Sequence, residues 1–323
     1  MGRSVEQSLL DALFVLSGFA LLMGGGEGLV QGAIRISENL NVSPLVVGFT
    51  VVAVGTSLPE LAVALAAISA NTPDIAIGGV LGSNVANVML VLGAAAVLGA
   101  KSDTEIGVER DALAVVVATL FLAIFVYHGK VPFLGGILML ACLVAYYYYT
   151  YSVAISGEDV YEFEDSWLPN KMSLAIPACA LGGAMIWYGA ELLVTGSTNI
   201  AETFGVSEAV IGLTMVALGT SLPELAVTLV AGFRGQGGVA VGNVLGSNVM
   251  NIMGIIGIAS IIGNGIPVDV EFQRDILVVM ATSGFVVWML ISEKEFTRNI
   301  GTMMILTYLL YISYLGGILD GLF

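Results

Sequence analysis

Positive charge and histidine are scarce in this sequence. Its 323 residues hold 10 Lys and Arg against 25 Asp and Glu, and one histidine, His128. At a formal net charge of −15 there is no basic surface for a nucleic acid. A single histidine disfavours histidine-based catalysis and most zinc chemistry. The two cysteines, Cys142 and Cys179, sit inside apolar runs and imply neither a disulfide framework nor a thiolate metal site. Charged residues of both signs make up only 11% of the chain, against roughly a quarter in an ordinary soluble domain.

What is present in quantity is apolar. Hydrophobic residues are 57% of the chain and the mean hydropathy is +0.96. That excludes a disordered chain and nearly every water-soluble fold, and predicts an all-α polytopic membrane protein. A transmembrane barrel would show short alternating strands rather than long apolar blocks. A helix needs roughly 20 apolar residues to cross the hydrocarbon core. Ten segments qualify: 8–36, 43–70, 75–99, 108–128, 131–153, 172–202, 208–233, 238–263, 272–291 and 299–320. The first is too long for a signal peptide and is expected to stay in the mature protein. The longest polar stretch, 154–171, carries Glu158, Asp159, Glu162, Glu164 and Asp165 and reads as a solvated acidic linker.

Basic residues set the expected orientation. With the N-terminus outside, the inner loops hold Arg35, Lys101, Arg110, Lys171, Arg234, Lys294 and Arg298, and the outer side holds Arg3, Lys130 and Arg274. Both termini are then outside and the acidic linker is inside. Compact size and the lack of a targeting signal suggest the plasma membrane.

The chain repeats itself. Residues 47–63 read VGFTVVAVGTSLPELAV, and residues 211–227 read IGLTMVALGTSLPELAV. A second block, IGGVLGSNVANVM at 77–89, returns as VGNVLGSNVMNIM at 241–253. Both keep an offset of 164 (47 to 211, 77 to 241), as do Glu27 with Glu191 and Arg110–Asp111 with Arg274–Asp275. The chain therefore reads as two copies of one five-helix unit, 1–153 and 172–323, joined by 154–171. Five is odd, so the second copy enters the membrane upside down. Inverted repeats of this kind place binding near the midplane between the copies.

The best-matched stretches are polar and lie mid-membrane. In GTSLPE at 55–60, Pro59 has no N–H and frees the Gly55 carbonyl; Pro223 is expected to free that of Gly219 in the same way. Exposed carbonyls at this depth need protein, a wet cavity or a cation around them. Glu60 and Glu224 follow each break. An intramembrane carboxylate is costly and functional by default, and two brought together repel unless a proton or cation lies between them. Ser83 with Asn87, and Ser247 with Asn251, are spaced i, i+4 and share a helix face. These donors are all oxygen, which suits Ca²⁺ or Na⁺, with Mg²⁺ fitting less well because it keeps its waters. Asn84 and Asn248, off that face, read as helix–helix hydrogen bonding. Glu27 and Glu191, each in a glycine-rich stretch, read as packing or hydrogen-bonding residues rather than as part of an ion path. Tyr146 to Tyr149 and Tyr151 read as interfacial anchors.

Two GTSLPE segments, each followed by GSNVxN, resemble the α-repeats of the sodium/calcium exchangers in the Ca²⁺/cation antiporter superfamily. The likeness covers the whole chain, and the size resembles the compact prokaryotic members. It implies a secondary-active antiporter exchanging Na⁺ for Ca²⁺ by alternating access. By this resemblance Glu60 and Glu224 are the central Ca²⁺ ligands, helped by Thr56, Ser57, Thr220 and Ser221. The carbonyls of Ala53 and Ala217, with Ser83 and Ser247, are outer Na⁺ ligands, and Asn87 and Asn251 flank the middle of the site. The first and sixth helices are the elements that slide. Potassium-dependent relatives carry Asp at the position of Asn251, so K⁺ co-transport is not expected. With two carboxylates in the site, one Ca²⁺ balances the charge and three Na⁺ leave one positive charge, which makes an electrogenic exchange plausible. The bilayer and the two ions are the expected partners, with no obligate protein partner and no organic cofactor.

A Ca²⁺/H⁺ antiporter is the nearest alternative, but the GNxxE motif usual in that branch is missing. A passive cation channel would more often be a ring of subunits than one chain with an internal inversion. An intramembrane hydrolase is disfavoured, because there is no HExxH and no histidine base near Ser57 or Ser221.

Overall fold

The computed structural model describes residues 5–99, 107–156, 166–204 and 217–315. The described chain is almost entirely helical. Helix α1 spans Val5–Leu40. Helices α2 (Pro44–Thr56) and α3 (Leu58–Ser69) form one broken unit, bent by 44° at Ser57. Then come α4 (Pro73–Leu98), α5 (Val108–Tyr127) and α6 (Phe133–Ser156). The second half holds α7 (Met172–Thr203), α8 (Ala217–Phe233), α9 (Gly237–Ile262), α10 (Phe272–Ile291) and α11 (Arg298–Leu315). Among the described residues seven helices are long and apolar enough to cross a bilayer, and the bent pair makes an eighth. Helix α8 is shorter as described, because 208–216 of the expected segment lie outside the described residues. So do 157–165, which carry every acidic residue singled out in the linker.

Local chemistry explains the boundaries. Ser43 caps α2, accepting from the Val46 N–H at 3.3 Å, and Pro44 takes the first helical position, where no N–H is needed. Pro73 opens α4 in the same way. Gly99, at φ 77°, ends α4 in the left-handed conformation that closes many helices.

Burial sorts the helices into core and periphery. Most of the apolar stretch of α4 and of α9 is buried, whereas that of α1 and of α7 is largely uncovered. Helices α1 and α7 pack on each other antiparallel, along most of their length. A methyl added at Gly18 would lie 2.6 Å from the Gly189 carbonyl oxygen; at Gly25, 2.7 Å from that of Gly182; at Gly32, 2.8 Å from that of Ala175. Gly196 faces the Asp11 carbonyl at 2.7 Å in the same series. The contacts recur every seventh residue with backbone against backbone, the close approach that small residues allow in membranes. The 164-residue offset turns Gly18 into Gly182 and Gly25 into Gly189, so the seam maps onto itself, as two antiparallel copies of one helix require.

Two expectations are corrected here. The second proline does not break its helix: α8 runs through Pro223 without interruption. Proline removes one backbone bond and crowds one carbonyl, and packing decides whether the helix bends there. The tyrosines also divide. Tyr148, Tyr149 and Tyr151 face outward, but Tyr146 and Tyr147 turn in against Phe49, at ring separations of 5.6 and 6.2 Å. The Tyr146 hydroxyl donates to Asp111 at 2.6 Å, which gives the buried carboxylate a partner.

Candidate cation site

The bend at Ser57 brings the GTSLPE segment of α2 and α3 against α8, α9 and α4. Glu60 lies in the first turn of α3 and is 5% exposed; Glu224, in α8, is 0% exposed. The two carboxylates are close enough to feel each other's charge. Among the described residues neither is paired with a Lys or Arg. Two like charges buried without a counter-ion are strongly unfavourable.

Hydroxyls surround them. Ser83 of α4 donates to Glu60 Oε1 at 3.4 Å, and Ser57 donates to Glu224 Oε1 at 3.4 Å. The hydroxyl oxygens of Thr56 and Ser247 lie 3.2 Å apart. Asn251 of α9 donates through Nδ2 to Ser83 Oγ at 3.1 Å, which links the two halves. Ser221 is buried beside Glu224 in α8, and Ala53 is fully buried in α2. Thr220 lines a small cleft of about 20 Å³ with Glu60, Ala64 and Gly79, room for about one water. Ala217 is the first residue of α8. Asn87 is fully buried, one turn beyond Ser83.

Several oxygens in this cluster have no hydrogen-bond partner among the described residues. They are Glu60 Oε2, Glu224 Oε2, Ser221 Oγ, Asn87 Oδ1 and Asn251 Oδ1. Buried polar atoms are normally satisfied, so a group of unpaired oxygens around two carboxylates has the chemistry of a hard-cation site. Asn87 and Asn251 both sit in short π-helical turns, 87–91 and 250–256. The wider turn displaces the helix hydrogen-bond ladder, as is frequent at functional positions.

Asn84 and Asn248 meet across the centre, Asn248 Nδ2 donating to the Asn84 carbonyl at 3.4 Å. Their reading as helix–helix bonding fits. Glu27 does not match its mate. It accepts from Arg234 at 3.0 Å, Trp167 at 3.1 Å and Gln31 at 3.1 Å, whereas Glu191 is exposed on α7.

Two buried residues at the site escaped the sequence reading. Asn243 accepts from the Thr56 hydroxyl at 3.1 Å and donates to the Glu224 carbonyl at 3.3 Å and to Thr228 Oγ1 at 3.1 Å. The available signal was a mismatch. At the equivalent places of the first copy stand Gly79 and Ala64.

Comparison with known proteins gives a consistent picture. The family profile described as sodium/calcium exchanger protein matches twice, over residues 10–152 and 174–317. The chain is 34% identical over 284 residues to the putative antiporter CaxA of Alkalimonas amylolytica, covering 85% of this chain and 88% of that one. It is 31% identical over 299 residues to the sodium/calcium exchanger MaX1 of Methanosarcina acetivorans, covering 78% and 83%. Among solved structures it is similar to the sodium-calcium exchanger NCX_Mj, with a TM-score of 0.81 and 30% identity over 95% of this chain and 99% of that one.

Proposed function

The chain belongs to the sodium/calcium exchanger family, and on that premise we propose that it is a multi-pass antiporter exchanging Na⁺ for Ca²⁺ by alternating access. The observation that carries this reading is the pair of buried carboxylates, Glu60 and Glu224, each with one unpaired oxygen and neither with a basic partner among the described residues. A Ca²⁺ ion bound there supplies the missing charge.

In this reading Glu60 and Glu224 hold Ca²⁺ with Thr56, Ser57, Thr220 and Ser221. The carbonyls of Ala53 and Ala217, with Ser83 and Ser247, hold Na⁺ on either side, and Asn87 and Asn251 flank the centre. All of these donors are oxygen, which is the ligand set both ions prefer. Residues 1–153 and 172–323 act as the two inverted units, a division supported by the separate match of the family profile to each half. The poorly buried α1 and α7 are the elements suited to move past the core. The protein works as a transporter, with the ions as substrates, in the plasma membrane with both termini outside.

The test is Ca²⁺ uptake into proteoliposomes loaded with Na⁺, K⁺ or a proton gradient. Uptake should require internal Na⁺, and Glu224→Gln should reduce it to background. Uptake driven by ΔpH without Na⁺, or flux needing no counter-ion, would overturn the proposal.

A further inference from the structure

Thr56 carries one hydroxyl proton and, besides the Ser247 hydroxyl at 3.2 Å, which can itself donate, has two groups within reach that can only accept. One is the carbonyl of Ala53 in its own helix, at 3.3 Å; the other is Asn243 Oδ1 in α9, at 3.1 Å. The choice between them matters, because the Ala53 carbonyl is a candidate Na⁺ ligand. That carbonyl already accepts the Ser57 N–H at 3.0 Å. A carbonyl has two lone pairs, so one remains, either for Thr56 or for a cation.

The orientation of Asn243 is fixed by its surroundings. The Glu224 backbone carbonyl is purely an acceptor, so the amide nitrogen must face it. With the second N–H on Thr228 Oγ1, both donors are used, and Oδ1 points at Thr56. The residue is fully buried and cannot trade these bonds for water. Once the Thr56 proton is committed to Asn243, the lone pairs of the Thr56 oxygen turn toward the site, where Ser247 Oγ lies 3.2 Å away.

The repeat supplies a comparison within the molecule. The second copy of Thr56 is Thr220, and the place equivalent to Asn243 is Gly79, with Ala64 in place of Thr228. A Cβ at Gly79 would meet nothing within 4 Å among the described residues. The amide therefore backs only one of the two threonines, and the halves of the site differ chemically although their GTSLPE motifs are identical.

We propose that Asn243 is a positioning residue for Na⁺. It holds the Thr56 hydroxyl proton away from the Ala53 carbonyl, so that both oxygens are free to take the ion. This deepens the exchanger reading and rests on it. The effect should fall on Na⁺ more than on Ca²⁺, whose principal ligands are the two carboxylates.

The experiment is Ca²⁺ uptake by proteoliposomes titrated with Na⁺ and, separately, with Ca²⁺. The proteins compared are wild type, Asn243→Leu, Thr56→Val and the double variant. Asn243→Leu should raise half-saturating Na⁺ by about 2- to 12-fold, the range set by one hydrogen bond. Half-saturating Ca²⁺ should move less than about twofold. In the double variant, Asn243→Leu should add nothing to the effect of Thr56→Val, because both act through one hydroxyl. Should Asn243→Leu fail to insert, Asn243→Gly, the residue native at position 79, gives the same readout. A fall in maximal rate with unchanged Na⁺ half-saturation overturns the inference, as do effects that simply add. A wild type without Na⁺ dependence would overturn the exchanger reading and this inference together.

Discussion

Glu224 accepts from the hydroxyl of Ser57 and Glu60 from that of Ser83. The hydroxyls soften the burial of two carboxylates without neutralising either. In the absence of cations their mutual repulsion opposes folding. Glu60→Gln and Glu224→Gln are therefore each expected to raise the thermal unfolding temperature in chelator while abolishing Ca²⁺ uptake. Ca²⁺ at a hundredfold excess over its dissociation constant should stabilise the wild type by about 2.7 kcal/mol and the Gln variants much less. Unfolding scans with and without Ca²⁺ check both statements; Gln variants less stable than wild type in chelator would count against a repelling pair. The residues of this site that the sequence exposes are those written twice, from Thr56 with Thr220 to Asn87 with Asn251. Asn243 and Thr228 are polar in one copy only, so a search guided by duplication passes over them. Their role emerges only when α2 is laid against α9.

At the scale of elements, the glycines of α1 and α7 are legible as packing residues, but their pairing is not. Nothing in the sequence alone says that Gly18 meets Gly189 rather than Gly182. A side chain at Gly25 would collide with backbone, so Gly25→Val is expected to destabilise the protein by about 1–3 kcal/mol or more, read as a lower unfolding temperature in detergent. Gly284, in α10, has nothing within 4 Å of an added Cβ among the described residues. Gly284→Ala should be neutral or stabilising by up to about 1 kcal/mol through helix propensity. The ion pair from Glu27 to Arg234, 2.9 Å long, ties α1 to the turn between α8 and α9. The position equivalent to Arg234 is Ala70, so the tie has no counterpart there. Because Arg234 is 56% exposed, Glu27→Gln should cost only about 0–1 kcal/mol, and that difference should shrink in high salt. The bend at Ser57 and the unbroken α8 show what a shared motif leaves open. Pro59 and Pro223 remove the same N–H, but the neighbouring helices decide whether the chain turns.

Across the whole molecule, apolar length and the constant offset account for most of the architecture. Observed boundaries such as 172–203 for 172–202 and 237–262 for 238–263 follow from apolar runs ended by Gly, Pro or charge. Orientation is a separate matter, since it is set by seven basic residues against three. In a Cys142→Ala, Cys179→Ala background, a cysteine at Lys130 should react with an impermeant maleimide on intact cells. One at Lys294 should react only after permeabilisation. The reverse pattern would place both termini inside. The glycine seam has a mechanical corollary. Meshed at every seventh residue, α1 and α7 behave like two toothed racks whose next register lies a full heptad, about 10 Å, away. A smaller excursion has to carry both together, as a single carriage travelling past α2 and α8 rather than two blades shearing against one another.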